Sequence, residues 1–399
     1  MKMEILFVMA CASLLVPSSE AQEISLNITE LTTKNMDFAM NLYRKISSFH
    51  DNNIFFSPLC ISTAFAILSM GAKEATREEI IQGLNLGLLE RDGEPELIPE
   101  LFKQLQGNIT QSGELLDQGN TLFVRLNFEV EKVFKDQISK FFNADIQNID
   151  FGNAKASKTI INDYIKRRTG DRVKEAVNDI DPFTQLMLIN TIFFKGKWEL
   201  PFDPKQTQDD RFYVDKYNIV QVPMMFREDK YYYASDNLLK VKVLKLPYEG
   251  DIAMLIVLPN KGVDYTSIDD EINAEHFLGW VKQLSITKLE VQVPKFKMDQ
   301  SYEMHKILPH LGISSVFENK ANLSGLSADI GLKVSEVLHK AVIEVDEKGT
   351  TAAAATFTGI TAYSLPSNFV VNRPFFFFIY HQINNSLLFM GRVIDPTKM

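Results

Sequence analysis

Residues 349–364 read Gly-Thr-Thr-Ala-Ala-Ala-Ala-Thr-Phe-Thr-Gly-Ile-Thr-Ala-Tyr-Ser, a run of small, uncharged side chains with no proline before Pro366. The run follows Glu347-Lys348 and lies between two segments of strand composition, Leu332–Val345 and Phe369–Phe378. Unstructured connections this long are uncommon inside compact domains and are either functional or disordered. Disordered segments are enriched in charge, Pro and Gly. This one is rich in Thr and Ala, with Phe357 and Ile360 near its far end. Strand side chains alternate between faces. In extended form, one face carries Thr350, Ala352, Ala354, Thr356, Thr358 and Ile360, and the other carries Thr351, Ala353, Ala355, Phe357, Gly359 and Thr361. Neither face holds a Lys or Glu, whose unpaired burial in a sheet would cost several kcal/mol. Such a segment can be an exposed loop in one state and a sheet strand in another. The fold must leave room for both.

The rest of the chain can supply a large core, with 399 residues of which 45% are hydrophobic. No Pro/Gly/Ser-rich linker, charge-block boundary or internal repeat divides it, so the expectation is one domain over residues 22–399. A formal charge of −9 argues against nucleic acid as the main partner. Lys2, the apolar run Ile5–Val16 and Ser19-Glu20-Ala21 read as a secretory leader, residues 1–21, cut after Ala21. That run is too short to span a bilayer, which takes roughly 20 residues. Cys11 leaves with the leader, so Cys60 is the one cysteine of the secreted chain, and it sits in an apolar helical pattern as a buried small hydrophobe. Secretion makes Asn27, Asn108, Asn322 and Asn384, each in Asn-x-Ser/Thr, candidate glycosylation sites. No metal-ligand spacing stands out, and no metal is expected.

Periodicity places helices first and strands later. Ala39, Leu42, Tyr43 and Ile46 share a helical face, as do Ile160, Ile161, Tyr164 and Ile165 before Gly170. Ser57 can cap a helix that starts at Pro58 and closes at Gly71, and Thr76-Arg-Glu-Glu79 reads as a capping box. From Thr184 onward, Leu186–Phe194, Val241–Leu246, Ala253–Leu258, Leu289–Val293 and Leu332–Val345 have strand composition, and Phe375–Tyr380 with Leu387–Val393 look like a hairpin turning at Asn384-Asn385. The pattern predicts an α+β domain.

Glu347-Lys348-Gly349-Thr350 with the Ala run, Phe369-Val-Val-Asn-Arg-Pro-Phe375, Asn53-Ile-Phe-Phe-Ser-Pro58, Asn190-Thr-Ile-Phe-Phe-Lys-Gly-Lys-Trp198 and Val337-Leu-His-Lys-Ala341 together resemble the inhibitory serpins over nearly all of the chain after Asp37. The resemblance implies three β-sheets, about nine helices and an exposed reactive-centre loop over residues 347–366. It implies no catalytic group. Its bait bond would follow the sixteenth residue after Glu347, so it would join Tyr363 to Ser364. Glu347, Gly349, Thr350, Thr351, Ala352, Ala353, Ala354 and Ala355 would be the hinge. Lys295 would pair with Glu347, while Ser57, Asn190 and His339 would meet under the sheet centre and Trp198 would cover the place of insertion.

Ile360-Thr-Ala-Tyr-Ser-Leu-Pro366, Asp215-Lys-Tyr217 and Tyr302-Glu-Met-His305 resemble the branch of the family that inhibits coagulation factor Xa. That branch uses protein Z as a protein cofactor, with calcium and anionic lipid, and takes factor XIa as a second target. The likeness implies a plasma monomer, with Asp51, Asp215, Tyr217 and Asp270 on the protein Z surface. Ser48 departs from it, standing where the cofactor-binding relative has a larger apolar residue. The acidic stretch Glu90-Arg-Asp-Gly-Glu94 stands where heparin-activated relatives carry Lys, and only Lys103 and Arg91 are nearby, which counts against heparin as an activator. Two rivals share the fold: an inhibitor of chymotrypsin-like proteases and a carrier serpin, the latter disfavoured by a hinge without charged or bulky residues. An enzyme is the third, and no Gly-x-Ser-x-Gly, zinc spacing or phosphate loop supports it.

Overall fold

The computed structural model describes residues 19–110, 116–173, 175–194, 196–349 and 367–399, with the side chains of 19–25, 116 and 117 excepted. Its first half holds α1 (Ser19–Ser47), β1 (Ile54–Phe56), α2 (Pro58–Gly71), α3 (Glu74–Gly83), α4 (Leu97–Thr110), β2 (Leu116–Arg125), α5 (Lys132–Phe142), β3 (Asp145–Ile149), α6 (Ala154–Arg168) and β4 (Leu186–Phe194). The second half adds β5 (Gln208–Tyr213), β6 (Ile219–Asp236), β7 (Val241–Pro247), β8 (Ile252–Pro259), α7 (Thr266–Asp269), α8 (Ala274–Gln283), β9 (Ser285–Pro294), β10 (Phe296–Glu303) and α9 (Met304–Ile307). It ends with β11 (Val334–Val345), β12 (Ser367–Val370), β13 (Phe375–His381) and β14 (Leu387–Val393). This is the expected α+β architecture, with nine α-helices among the described residues.

Two hydrogen-bonded sheets account for these strands. The first runs β10-β11-β4-β2-β3, and the second runs β1-β14-β13-β8-β7-β6-β9-β12, with β5 on β6. Three sheets were expected. The 18-residue β6 merges two of them, because its Ile219–Met224 half pairs with β5 and its Tyr232–Asp236 end pairs with β7.

Burial explains why β4 is apolar at every position but Asn190 and Thr191. Leu186, Leu188, Ile192 and Phe194 enter the main core with α2, while Met187 and Ile189 join a second cluster with Phe123, Ile161, Ile165, Leu338 and Val342 under α6. A strand covered on both faces needs no polar alternation. Helix α2 forms as its caps dictate: the Ser57 side chain accepts the Cys60 N–H, Pro58 opens the helix and Gly71 closes it.

Local signals misled at four places. Thr76-Arg-Glu-Glu79 is not a cap, because α3 begins at Glu74. The Thr76 hydroxyl instead accepts the Asn322 N–H, and Glu79 accepts the Ser314 and Ser315 amides. Strands β2 and β3 lie among the helices, so the helix-then-strand order fails. The segment 369–378 breaks into β12 and β13, because Pro374 cannot donate to a ladder. Ile160 is 49% exposed, off the buried face of α6. No described helix is long and apolar enough to cross a membrane.

Candidate functional site: a hinge above a closed seam

Strands β11 and β4 are parallel neighbours, in register from Val334↔Leu186 to Ile343↔Phe194. The buried positions of both are mostly apolar, yet β4 buries Asn190 and Thr191 and β11 buries His339, and the register sets His339 opposite Asn190. Burial of both on the main-core side demands hydrogen bonds, since an unmatched polar group there costs about 1–3 kcal/mol. The Ser57 amide donates to His339 Nε2 at 3.0 Å, so the proton sits on Nδ1, which donates to Asn190 Oδ1 at 2.6 Å. Asn190 Nδ2 donates to Asn120 Oδ1 at 2.5 Å and to the Cys60 carbonyl at 3.4 Å, and Ser57 Oγ donates to the Leu388 carbonyl at 2.7 Å. One imidazole thus links β11, β4, β2 and the start of α2. The structure brings Ser57, Asn190 and His339 together as expected. Asn120 was missed; β2 also holds Gln118, and only the β2–β4 register singles out Asn120 by placing it beside Asn190.

Burial pushes His339 down to about 3, so it is neutral. Below the ordinary value near 6.5 the unfolded chain takes a proton that the native imidazole refuses. Native stability therefore falls as pH drops from about 6.5 toward 3, by up to about 1.4 kcal/mol per pH unit from this group. Urea unfolding at pH 7, 6, 5 and 4 is expected to show that slope, and His339→Gln is expected to flatten it. His50 and His305 are also held low by burial, so the difference between variant and wild type isolates the His339 share. Equal slopes in the two proteins would refute the assignment.

The top of β11 leads into the hinge. Lys295 Nζ donates to Glu347 Oε2 at 2.8 Å, and Thr207 Oγ1 donates to Oε1 at 2.8 Å. Burial alone would raise the Glu347 carboxyl, but Lys295, its own amide and Thr207 outweigh that and hold it below the usual range. Gly349 follows at φ +94°, and a Cβ there would meet Gly196 O at 2.4 Å and Trp198 N at 2.5 Å. Only glycine fits so close a backbone approach in that conformation. Trp198 is buried, stacks on Tyr248 at 4.2 Å between ring centroids, and donates its Nε1 hydrogen to the Asp346 carbonyl at 2.9 Å. Thr207, Gly196 and Tyr248 were missed, and nothing local in the sequence marks them. Thr350, Thr351, Ala352, Ala353, Ala354, Ala355, Tyr363 and Ser364 lie outside the described residues, as do leader residues 1–18. The leader's expected cut after Ala21 falls within α1.

The candidate cofactor surface divides between elements. Arg392 donates to Asp269 and to the His50 and Asn52 carbonyls, gathering the exposed Asp51 and Asp270 to one corner. Asp215 and Tyr217 sit on the β5–β6 turn. Asp215 accepts the amides of Tyr217 at 2.7 Å and Asn218 at 2.8 Å, presenting Tyr217 at 91% exposure. The Asn218 side chain and those amides hold the Asp215 carboxyl low. Of the glycosylation candidates, Asn108 is exposed, and Asn322 and Asn384 are half-buried. Asn27 is 7% exposed inside α1 and accepts Arg91 Nη2 at 3.1 Å, so the folded chain leaves no room for a glycan on that side chain. Burial pushes the Cys60 thiol up to about 12, which makes it inert at neutral pH. No group of three His, Cys, Asp or Glu that could hold a metal occurs among the described residues.

Residues 33–396 match the sequence family described as Serpin (serine protease inhibitor). Protein Z-dependent protease inhibitor of Mus musculus is 40% identical over 93% of this chain and 83% of its own length, and that of Homo sapiens is 40% identical over 93% and 84%. Of solved structures, the mouse protein Z-dependent protease inhibitor matches at TM-score 0.88 and 38% identity, over 94% of this chain and 99% of that one. Human thyroxine-binding globulin matches at 0.86 and 33%, over 93% and 99%. A match over almost the full length, on a fold with a closed parallel seam below a glycine hinge, leaves one conclusion: this chain belongs to the serpin family.

Proposed function

We propose that this chain is a secreted plasma inhibitor of serine proteases, made with a leader at 1–21 and a serpin domain at 22–399, and that its bait bond is Tyr363–Ser364. The observation that carries this is the β4·β11 seam. A strand that leaves Gly349 and turns down would run antiparallel to both neighbours. It would replace one parallel ladder with two antiparallel ones, the more stable kind per residue. Some fifteen residues in extended form, each rising about 3.3 Å, give a travel of about 50 Å. A protease that attacks the Tyr363 carbonyl releases the loop, which enters the seam and carries the acylated enzyme with it before water can free it. The hinge residues after Lys348 carry no charge, which favours insertion over the carrier role that thyroxine-binding globulin's name states.

The target reading rests on the named relatives and on the bait. Protein Z-dependent inhibitors are so called for their cofactor, and likeness to them supports factor Xa as target, with factor XIa second. Tyr363 suits a chymotrypsin-like pocket, whereas trypsin-like enzymes carry an Asp at the pocket base and prefer Arg. Protein Z on an anionic membrane with calcium would offset a poor bait by raising effective concentration and aligning the pair. Asp51, Asp215, Tyr217 and Asp270 are the surface proposed for it. The test is factor Xa inhibition with and without protein Z, calcium and anionic vesicles. The expected result is an acceleration of about 100-fold or more, a denaturant-resistant complex, and a C-terminal peptide beginning at Ser364. No acceleration, with fast inhibition of chymotrypsin, would assign the chain to chymotrypsin-like targets, the reading Tyr363 itself favours.

A further inference from the structure

One large apolar side chain stands out on the corner that carries Asp51 and Asp270. Phe49, on the turn that follows α1, is 52% exposed. Its apolar neighbours Ile46, Ile268 and Ile272 are all buried in the core. Ser48 offers no apolar surface, and its hydroxyl donates to the Lys45 carbonyl at 2.8 Å. A single exposed ring is ordinary on a protein surface. This ring differs in being held. Its centroid lies 5.4 Å from that of the His310 ring, and Lys45 Nζ lies 4.6 Å from it.

The turn beneath the ring is held as well. The Phe49 amide donates to the Ile46 carbonyl at 3.0 Å and the Ser48 amide to the Arg44 carbonyl at 3.2 Å. Arg392 reaches the His50 and Asn52 carbonyls on either side of Asp51, and the His50 ring meets Tyr302 edge-on at 5.6 Å. The same guanidinium donates to Asp269, which also accepts the buried Tyr43 hydroxyl and is followed by the exposed Asp270. One buried cation thus ties together the turn that carries the ring, Asp51 and Asp270. An aromatic ring set in place before a partner arrives loses little side-chain freedom on binding. Such rings are enriched among the few residues that carry most of an interface's affinity. Resting on the protein Z reading above, we propose that Phe49 is the apolar anchor of that docking surface, and that the partner receives it in an apolar pocket flanked by basic groups facing Asp51 and Asp270. The two kinds of group divide the work. The exposed carboxylates govern encounter and are screened by salt. The ring governs residence, because its exposed area leaves water only once the complex is made.

Association and dissociation of protein Z on the immobilised full chain, at about 0.1 M and about 0.5 M salt, test this division. The variants are Phe49→Ala, Phe49→Tyr, the pair Asp51→Asn/Asp270→Asn, and the control Leu238→Ala, which alters a residue 82% exposed on the β6–β7 turn. Phe49→Ala is expected to raise Kd about 30-fold at both salt concentrations, chiefly through faster dissociation. Phe49→Tyr keeps the ring and is expected to stay within about 3-fold of wild type. The aspartate pair is expected to slow association at low salt and to differ little from wild type at high salt. The control is expected to match wild type. A Phe49→Ala chain that binds as wild type does would overturn the anchor and leave the cofactor surface to its charged residues. A loss in Phe49→Ala that disappears at high salt would overturn it too, since the ring would then act only by placing the charges. So would a loss accompanied by a fall in Tm of more than about 3 °C, which would make the ring part of the fold. A wild-type chain that binds no protein Z, with or without calcium and anionic vesicles, would remove the cofactor reading and the anchor together, and would leave trapping by loop insertion untouched.

Discussion

Cutting the intact chain between Tyr363 and Ser364 is expected to raise its Tm by at least about 10 °C. A nick by itself should lower stability, because it frees chain ends and adds conformational entropy to the unfolded state. The opposite sign follows from the seam. About a dozen residues, 350–361, would pair with β11 on one side and β4 on the other. The parallel ladder now joining those strands would be lost and two antiparallel ladders gained. At about 1 kcal/mol net per hydrogen bond, with Phe357 and Ile360 buried for about 2 kcal/mol each and chain ordering opposing both, the surplus is on the order of 10 kcal/mol. The unfolding entropy of a chain of this length converts that to roughly 10–15 °C. A protease that cuts the loop without being trapped supplies the cleaved form, and scanning calorimetry on intact and cut chains reads the shift. A cut form that melts at or below the intact one would mean that no strand enters the seam.

The parts of this machine differ in how visibly they are written. Strand β4 was legible because burial on both faces leaves seven of its nine residues apolar, and the Ser57-Pro58 cap because it is local chemistry. Gly349 stood out only as part of a resembling motif; its reason is the backbone of residues 196–198, more than 150 positions away, which no window on the sequence contains. Asn190 and His339 could be picked as polar residues amid mostly apolar neighbours, but their contact needs the register between strands about 150 residues apart. Thr207 and Tyr248 carry no local signal at all. Thr76 shows the converse failure: a correct capping pattern lost to a tertiary partner, Asn322, that offered its hydroxyl a better-placed donor. Merging of two expected sheets into one went unread for a similar reason, since the length of β6 is set by two partners at once.

The face alternation of the inserting strand yields the sharpest mutational contrast. Continued past the Asp346–Gly349 bridge, the pairing of an inserting strand would set Thr350 opposite Val345 and Thr351 opposite Glu344. Cross-strand partners share a face. Val345 is 2% exposed and belongs to the main core, whereas Glu344 faces solvent. Thr350→Arg would therefore have to carry a guanidinium into the core at the first step of insertion, a cost of several kcal/mol without a partner. Each 1.4 kcal/mol added to the insertion barrier moves the partition between trapping and turnover about tenfold toward turnover. The variant is expected to be cut at Tyr363 as a plain substrate, with denaturant-resistant complex reduced to a small fraction. Thr351→Arg, one residue along, would present its charge beside Glu344 in water and is expected to keep near-wild-type complex formation. Gel analysis of both variants against the same protease, with equal cleavage rates as the control for bait quality, separates the outcomes. Equal loss in both would point to a general effect of charge on the hinge, and equal retention would mean that the loop does not enter the seam from Gly349 downward.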